Sequence, residues 1–175
     1  MAKPTVTRVP PDSLIATYLP GADFHDAWLV ETPDAGRSAL GLFIQSVRAT
    51  PAWVEYCMTL RNWVAARVGL KDLGALNAID LARDDSSYRP GERVGIFTLV
   101  WNTYDEVLLG DSDRHLEVTL SVHRRELDAD RVLVTVTTVV KVRNLLGHLY
   151  MIPVRPMHRR IAPAVLAALG QRRNA

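Results

Sequence analysis

The chain has 175 residues, 48% of them apolar and 23% charged, with 21 Lys and Arg against 19 Asp and Glu. This length predicts one domain around one core; the apolar content excludes a disordered chain, and without a run of about 18 apolar residues no membrane-spanning helix is expected. A formal charge of +2 implies no nucleic-acid or membrane partner, and with Cys57 as the lone cysteine neither an internal disulfide nor a multi-cysteine metal site is expected.

The amino terminus lacks the apolar core of a secretion signal, so the expected location is the cytoplasm. Residues 1–21 are punctuated by Pro4, Pro10, Pro11 and Pro20 and read as a flexible arm, leaving 22–175 as a single domain. Phe24 to Thr32 alternates imperfectly with period two, as a short strand does. Leu40, Phe43, Ile44 and Val47 recur at helical offsets and predict a first helix. Thr50-Pro51 then reads as a helix start, because the threonine hydroxyl can accept an orphan amide and proline fits the first turn. The second helix is expected to bury Trp53, Cys57, Leu60, Val64 and Val68 and to stop at Gly69.

Residues 70–92 hold turn signals such as Asp84-Asp85-Ser86-Ser87 and Pro90-Gly91, and read as a long connection with a short strand near Ala78 to Leu81. Beyond it the period becomes extended: Arg93 to Trp101, Glu106 to Leu109, His115 to His123 and Arg131 to Val142 are predicted strands. Gly110-Asp111-Ser112-Asp113 and Asp128-Ala129-Asp130 are expected as hairpin connections of a four-stranded meander, with Val132, Val134, Val136, Val140 and Val142 on its core face. From Leu145 to Leu169 an apolar stripe returns at helical spacing. Pro153 and Pro156 lie close enough together to predict a kink near Val154 and Arg155.

This order predicts an α+β fold: a curved antiparallel sheet, two short helices and a kinked carboxy-terminal helix against one face. It resembles the helix-grip architecture of START-related and birch-pollen-allergen-like (SRPBCC) proteins, whose interior holds apolar small molecules. The phrases Tyr104-Asp105-Glu106-Val107-Leu108-Leu109-Gly110, Asp113-Arg114-His115-Leu116, Val136-Thr137-Thr138-Val139-Val140, Leu146-Gly147-His148-Leu149-Tyr150 and Pro156-Met157-His158 are similar to the bacterial family catalogued as domain of unknown function 2867. That likeness runs from about Phe24 to Leu169. Members of the family are also found joined to short-chain-dehydrogenase-like, NAD(P)-binding domains, so the resemblance implies an accessory or ligand-binding role, with an oxidoreductase or a second copy of the chain as partner.

Three groups of residues carry chemistry. Asp113, His115 and Glu117, two apart on a predicted strand, are ligand types for a divalent metal or a proton relay; the ordinary alternative, charge turned to water, is preferred. Asp105 or Glu106 is expected to meet an arginine, Arg155 or Arg159, at a cavity mouth, or to form a plain surface pair. The preferred group is His148, Tyr150, Arg155 and His158 on the kinked helix, where a tyrosine donates to a carbonyl and an arginine holds a carboxylate. With Phe43 and Trp53, the aromatic residues Trp28, Phe97 and Trp101 are candidates for the wall, or for plain core. The expected ligand site is thus Trp28, Phe97, Trp101, Tyr150, Arg155 and His158, holding a small apolar molecule between sheet and helix. No G-x-G-x-x-G turn, P-loop, G-x-S-x-G elbow or H-E-x-x-H spacing occurs, so no cofactor is expected. The competing expectation is a cyclase- or hydratase-like enzyme in which Asp113, His115, Tyr150 or His158 moves a proton in the same cavity.

Overall fold

The structure is a computed structural model describing residues 3–33, 36–67, 79 and 83–170. It is an α+β fold. In chain order its elements are β1 (Thr5–Val6), β2 (Phe24–Thr32), α1 (Ala39–Arg48), α2 (Ala52–Arg67), β3 (Arg93–Val94), β4 (Phe97–Asn102), β5 (Glu106–Ser112), β6 (Leu116–Glu126), β7 (Val132–Val142) and α3 (Leu145–Leu166). The seven strands form one open, curved antiparallel sheet ordered β1-β2-β7-β6-β5-β4-β3. The strand that precedes the helices therefore pairs with the last strand. Phe24 stands opposite Val140 and Thr32 opposite Val132.

Alternation gives the sheet two faces, and both are covered. On the inner face Val30, Leu99, Val107, Leu109, Val122, Val132 and Val134 pack with Leu40, Phe43 and Val47 of α1 and with Leu166 and Leu169 at the end of α3. The α1 stripe predicted from spacing is buried as expected, and Ser38 caps that helix by accepting from the Gly41 amide at 3.0 Å. On the outer face Ile15, inside a short 3₁₀ turn (Leu14–Tyr18), packs on Leu108 and Val139 beside Val9 and Leu19. The segment expected as an arm is placed by this contact and by β1, whose Thr5 and Val6 stand opposite Leu29 and Trp28.

Several local expectations are corrected. Arg93 to Trp101 is two strands, because Gly95 at φ 60° turns the chain between Val94 and Phe97, the backbone a two-residue hairpin needs and glycine supplies. Gly110, Asp111 and Ser112 continue β5, and the turn falls at Arg114 and His115. Gly110 serves pairing here: β4 carries a bulge between Leu99 and Trp101, and a Cβ on Gly110 would come 3.1 Å from a Val100 methyl. Thr50 does not cap α2; its hydroxyl is buried with no hydrogen-bond partner among the described residues. The face of α2 predicted as core turns outward, since Trp53 and Leu60 are exposed while Val54 is the one buried among the described side chains of the helix. The Val64 side chain, the proposed stop at Gly69 and the strand expected from Ala78 to Leu81 lie outside the described residues, apart from the buried Ile79.

Helix α3 runs continuously through Pro153, Pro156 and Pro163. Pro153 and Pro156 remove the amides that the Leu149 and Ile152 carbonyls would accept. Those two residues and both prolines are exposed, so water reaches the orphaned carbonyls. Asn144 starts the helix, its side-chain oxygen accepting from the Gly147 amide at 3.1 Å. Gly147 lies against the turn before β6, where an added Cβ would stand 2.5 Å from the His115 carbonyl oxygen.

Candidate functional site

The inner face does not carry one continuous apolar core. Beneath α1 and the end of α3 lies the cluster already described; a second cluster of Phe24, Leu116, Val140 and Met151, fringed by Val118, Val142, Tyr150 and Val154, lies beneath the first half of α3. Between them the cross-strand row reads Asp26, Thr138, Leu120, and the adjoining row reads Trp28, Val136, Val122. Asp26 and Thr138 place polar groups on this face between the two apolar clusters, while Thr32 and Arg124 do so near its other end. Trp28, Leu120 and Val136 are only partly buried, although β6 and β7 are interior strands covered by a helix. A short polar seam on β2 and β7 thus separates the two clusters.

Over this seam α3 brings His158. Its Nε2 lies 3.2 Å from one Asp26 carboxylate oxygen, and the Trp28 indole N–H donates to the other at 3.1 Å. Asp26 and His158 are largely but not wholly enclosed, with side chains 13% and 25% exposed. The imidazole meets the Phe24 ring edge to face, with centroids 5.7 Å apart. Three residues earlier, Arg155 donates from Nη2 to the Asp23 carbonyl at 3.1 Å, its guanidinium 5.9 Å from the Phe24 ring centre, while its buried Nε has no acceptor among the described residues. A carboxylate that orients an imidazole, next to a guanidinium with a spare N–H, can bind the polar end of a ligand or hold a proton at one ring nitrogen.

Of the six residues expected from sequence, Trp28, Arg155 and His158 are brought together around Phe24 and Asp26. Tyr150 lies two helical turns before His158, its hydroxyl accepting from Arg61 Nε of α2 at 2.7 Å. Phe97 is on β4, packed edge to face on Phe43 at 6.2 Å at the far side of the first cluster. Trp101 pairs with Leu108, on the outer face, and is exposed. Sequence reasoning missed Asp26. Its signal was its parity: on β2 it shares a face with Phe24, Trp28 and Val30, so a carboxylate there points inward and demands a partner.

The other constellations disperse. Asp113 caps its own turn, accepting the His115 and Leu116 amides at 2.6 and 2.8 Å. His115 lies in the turn before β6 and is buried, with Nδ1 3.1 Å from the Asn144 side-chain oxygen and Nε2 accepting from Arg114 Nε at 2.8 Å. Glu117 pairs with Arg143 at 2.7 Å. Among the described residues no group of three or more His, Cys, Asp or Glu is placed to hold a metal ion. Asp105 does meet an arginine, but it is Arg124, at 3.1 Å; Glu106 faces outward and accepts from the Ser13 hydroxyl, the Leu14 amide at 2.8 Å and the Ser121 hydroxyl at 2.7 Å. An open groove of about 820 Å³ lies elsewhere, between α1, the end of α3 and the 83–85 turn, lined in part by Arg37, Arg48 and Arg83.

A family model described as "Protein of unknown function (DUF2867)" matches residues 18–165, which is most of the chain. No curated protein matches it.

Proposed function

The chain belongs to the DUF2867 family, and we propose that it is a small-molecule-binding protein of helix-grip type, related to the START and birch-pollen-allergen-like proteins, with its ligand between the inner face of the sheet and α3. The order of elements supports this: two strands, two helices, a run of antiparallel strands whose last member pairs with β2, and a last helix laid over the inner face. The observation that carries it is the seam. A face built only for stability buries its central rows completely, because each exposed apolar group there forfeits about 25 cal/mol per Å²; here Leu120, Val136 and Trp28 stay partly open beside a polar pair. The ligand implied is a small, mostly apolar body whose polar end meets His158, Asp26 and Arg155.

Native mass spectrometry of the purified protein, with titration of an apolar fluorescent probe, tests the reading. Expected is a retained molecule or stoichiometric probe uptake that Asp26→Asn and His158→Ala each weaken by roughly tenfold, the loss of one charge-assisted hydrogen bond. A wild type that takes up nothing overturns it. A second reading, proton transfer to a carbonyl substrate, is favoured by one observation, that Asp26 orients His158. Turnover lost in Asp26→Asn while binding persists decides for that reading.

A further inference from the structure

Helix α2 turns a stripe of large apolar side chains to solvent. Trp53, Tyr56, Leu60 and Trp63 are 46%, 71%, 50% and 55% exposed and fall within an arc of about 80° at 100° per residue, on the side of the helix away from the buried Val54. Aromatic side chains offer about 150–250 Å² each, so this stripe alone presents on the order of 400 Å², the size of patch that marks an interaction site on a soluble protein. A second stripe, Leu145, Leu149 and Ile152 of α3, is exposed as well. The two helices are joined where Arg61 Nε donates to the Tyr150 hydroxyl.

Charge identifies the occupant. Helices α2 and α3 present three exposed arginines, Arg67, Arg159 and Arg160, and carry the single carboxylate Glu55, whereas the whole chain is nearly neutral at +2. The Arg67 guanidinium lies 3.3 Å from the centre of the Trp63 ring. A second copy packed symmetrically through this face would set arginines against arginines. Tryptophan, tyrosine and leucine bordered by arginine is instead the composition of a helix that rests in the headgroup boundary of an anionic bilayer, with rings among the upper acyl chains and guanidiniums on the phosphates. No described helix is long and apolar enough to cross a membrane, so the contact is peripheral.

We propose that the α2 stripe, together with the exposed α3 stripe, docks this protein on the surface of an anionic phospholipid membrane. This revises the expectation, drawn from net charge alone, of no membrane partner, and it stands whatever the inner face binds. Vesicle flotation tests it with phosphatidylcholine alone and with phosphatidylcholine containing phosphatidylglycerol, at low and high salt. Expected is binding to the mixed vesicles at least about tenfold stronger than to the neutral ones, weakened by salt and accompanied by a blue shift of tryptophan emission. Trp53→Ser/Trp63→Ser should lose that binding without a change in thermal midpoint, since both side chains are exposed. Leu145→Ser/Ile152→Ser should weaken it, and Arg159→Gln/Arg160→Gln should abolish the preference for anionic lipid. The proposal is overturned if the wild type ignores mixed vesicles at low salt, or if Trp53→Ser/Trp63→Ser binds them as well as wild type. It is equally overturned if the wild type is a dimer that this double variant turns into monomers, or binds only an acidic protein through these tryptophans.

Discussion

Glu106 is a buried carboxylate held by two hydroxyls and an amide, and two of those three donors belong to the amino-terminal segment. A hydrogen bond to a charged group contributes about 1.5–3 kcal/mol, so Glu106→Gln is expected to cost about 1–3 kcal/mol in thermal unfolding. The same variant should expose residues 3–21 to limited proteolysis, because the anchor of that segment on the outer face is weakened while β5 and β6 remain paired. Ile15→Ala, which empties a completely buried site under Leu108 and Val139, is expected to cost about 2–5 kcal/mol and to release the same segment. The segment was read from its prolines as an arm. One isoleucine and one glutamate, 91 residues apart in the chain, are what place it.

Two elements owe their position to single residues. α3 is docked through Gly147, and with a Cβ there only 2.5 Å from the His115 carbonyl, either the helix or the turn must move. Gly147→Ala is therefore expected to destabilise by about 1–3 kcal/mol, as overpacking does, despite alanine's better helix propensity; equilibrium denaturation of the variant measures this. The β6–β7 hairpin is closed by Asp128, whose pKa is lowered from its ordinary 3.8 by the hydrogen bond from the Arg131 side chain and then by the Asp130 amide. A carboxylate depressed on folding contributes stability above its unfolded value and loses that contribution as pH falls through the folded one. Asp128→Asn should thus lower the thermal midpoint slightly at neutral pH and match wild type in acid well below the carboxylate range. The residues involved are surface-exposed, which keeps the effect small.

For the molecule as a whole, the decisive question is whether the seam between its two inner clusters has room. Val134 and Val136 are neighbours on one face of β7, one completely buried and the other partly open. Val134→Phe is expected to cost about 1–3 kcal/mol in a filled core, whereas Val136→Phe should cost less than about 1 kcal/mol and block probe uptake. Equal large penalties at both positions would mean a solid interior. Thermal unfolding of the pair, read beside probe binding, separates a recess from a core that is merely irregular.

Period and parity in the sequence were sufficient for the α+β class, the positions of β2, α1, β6 and β7, and the inner face of β7, because these follow from local alternation that a pleated strand or a helix must obey. They also drew His158, Arg155 and Trp28 into one list, though not for the reason that unites them. Pairing across distance decided the rest. That β2 closes on β7 puts Asp26 opposite Thr138 and under α3, and no spacing within either segment encodes that register. Which side of α2 is core was equally undecidable from the chain, since apolar residues occur almost all the way round it and only the packing of Val54 selects the buried side. Local chemistry determines which elements form; which faces they turn toward one another is a property of the assembled sheet and helices, where burial of one side is chosen at the expense of the other.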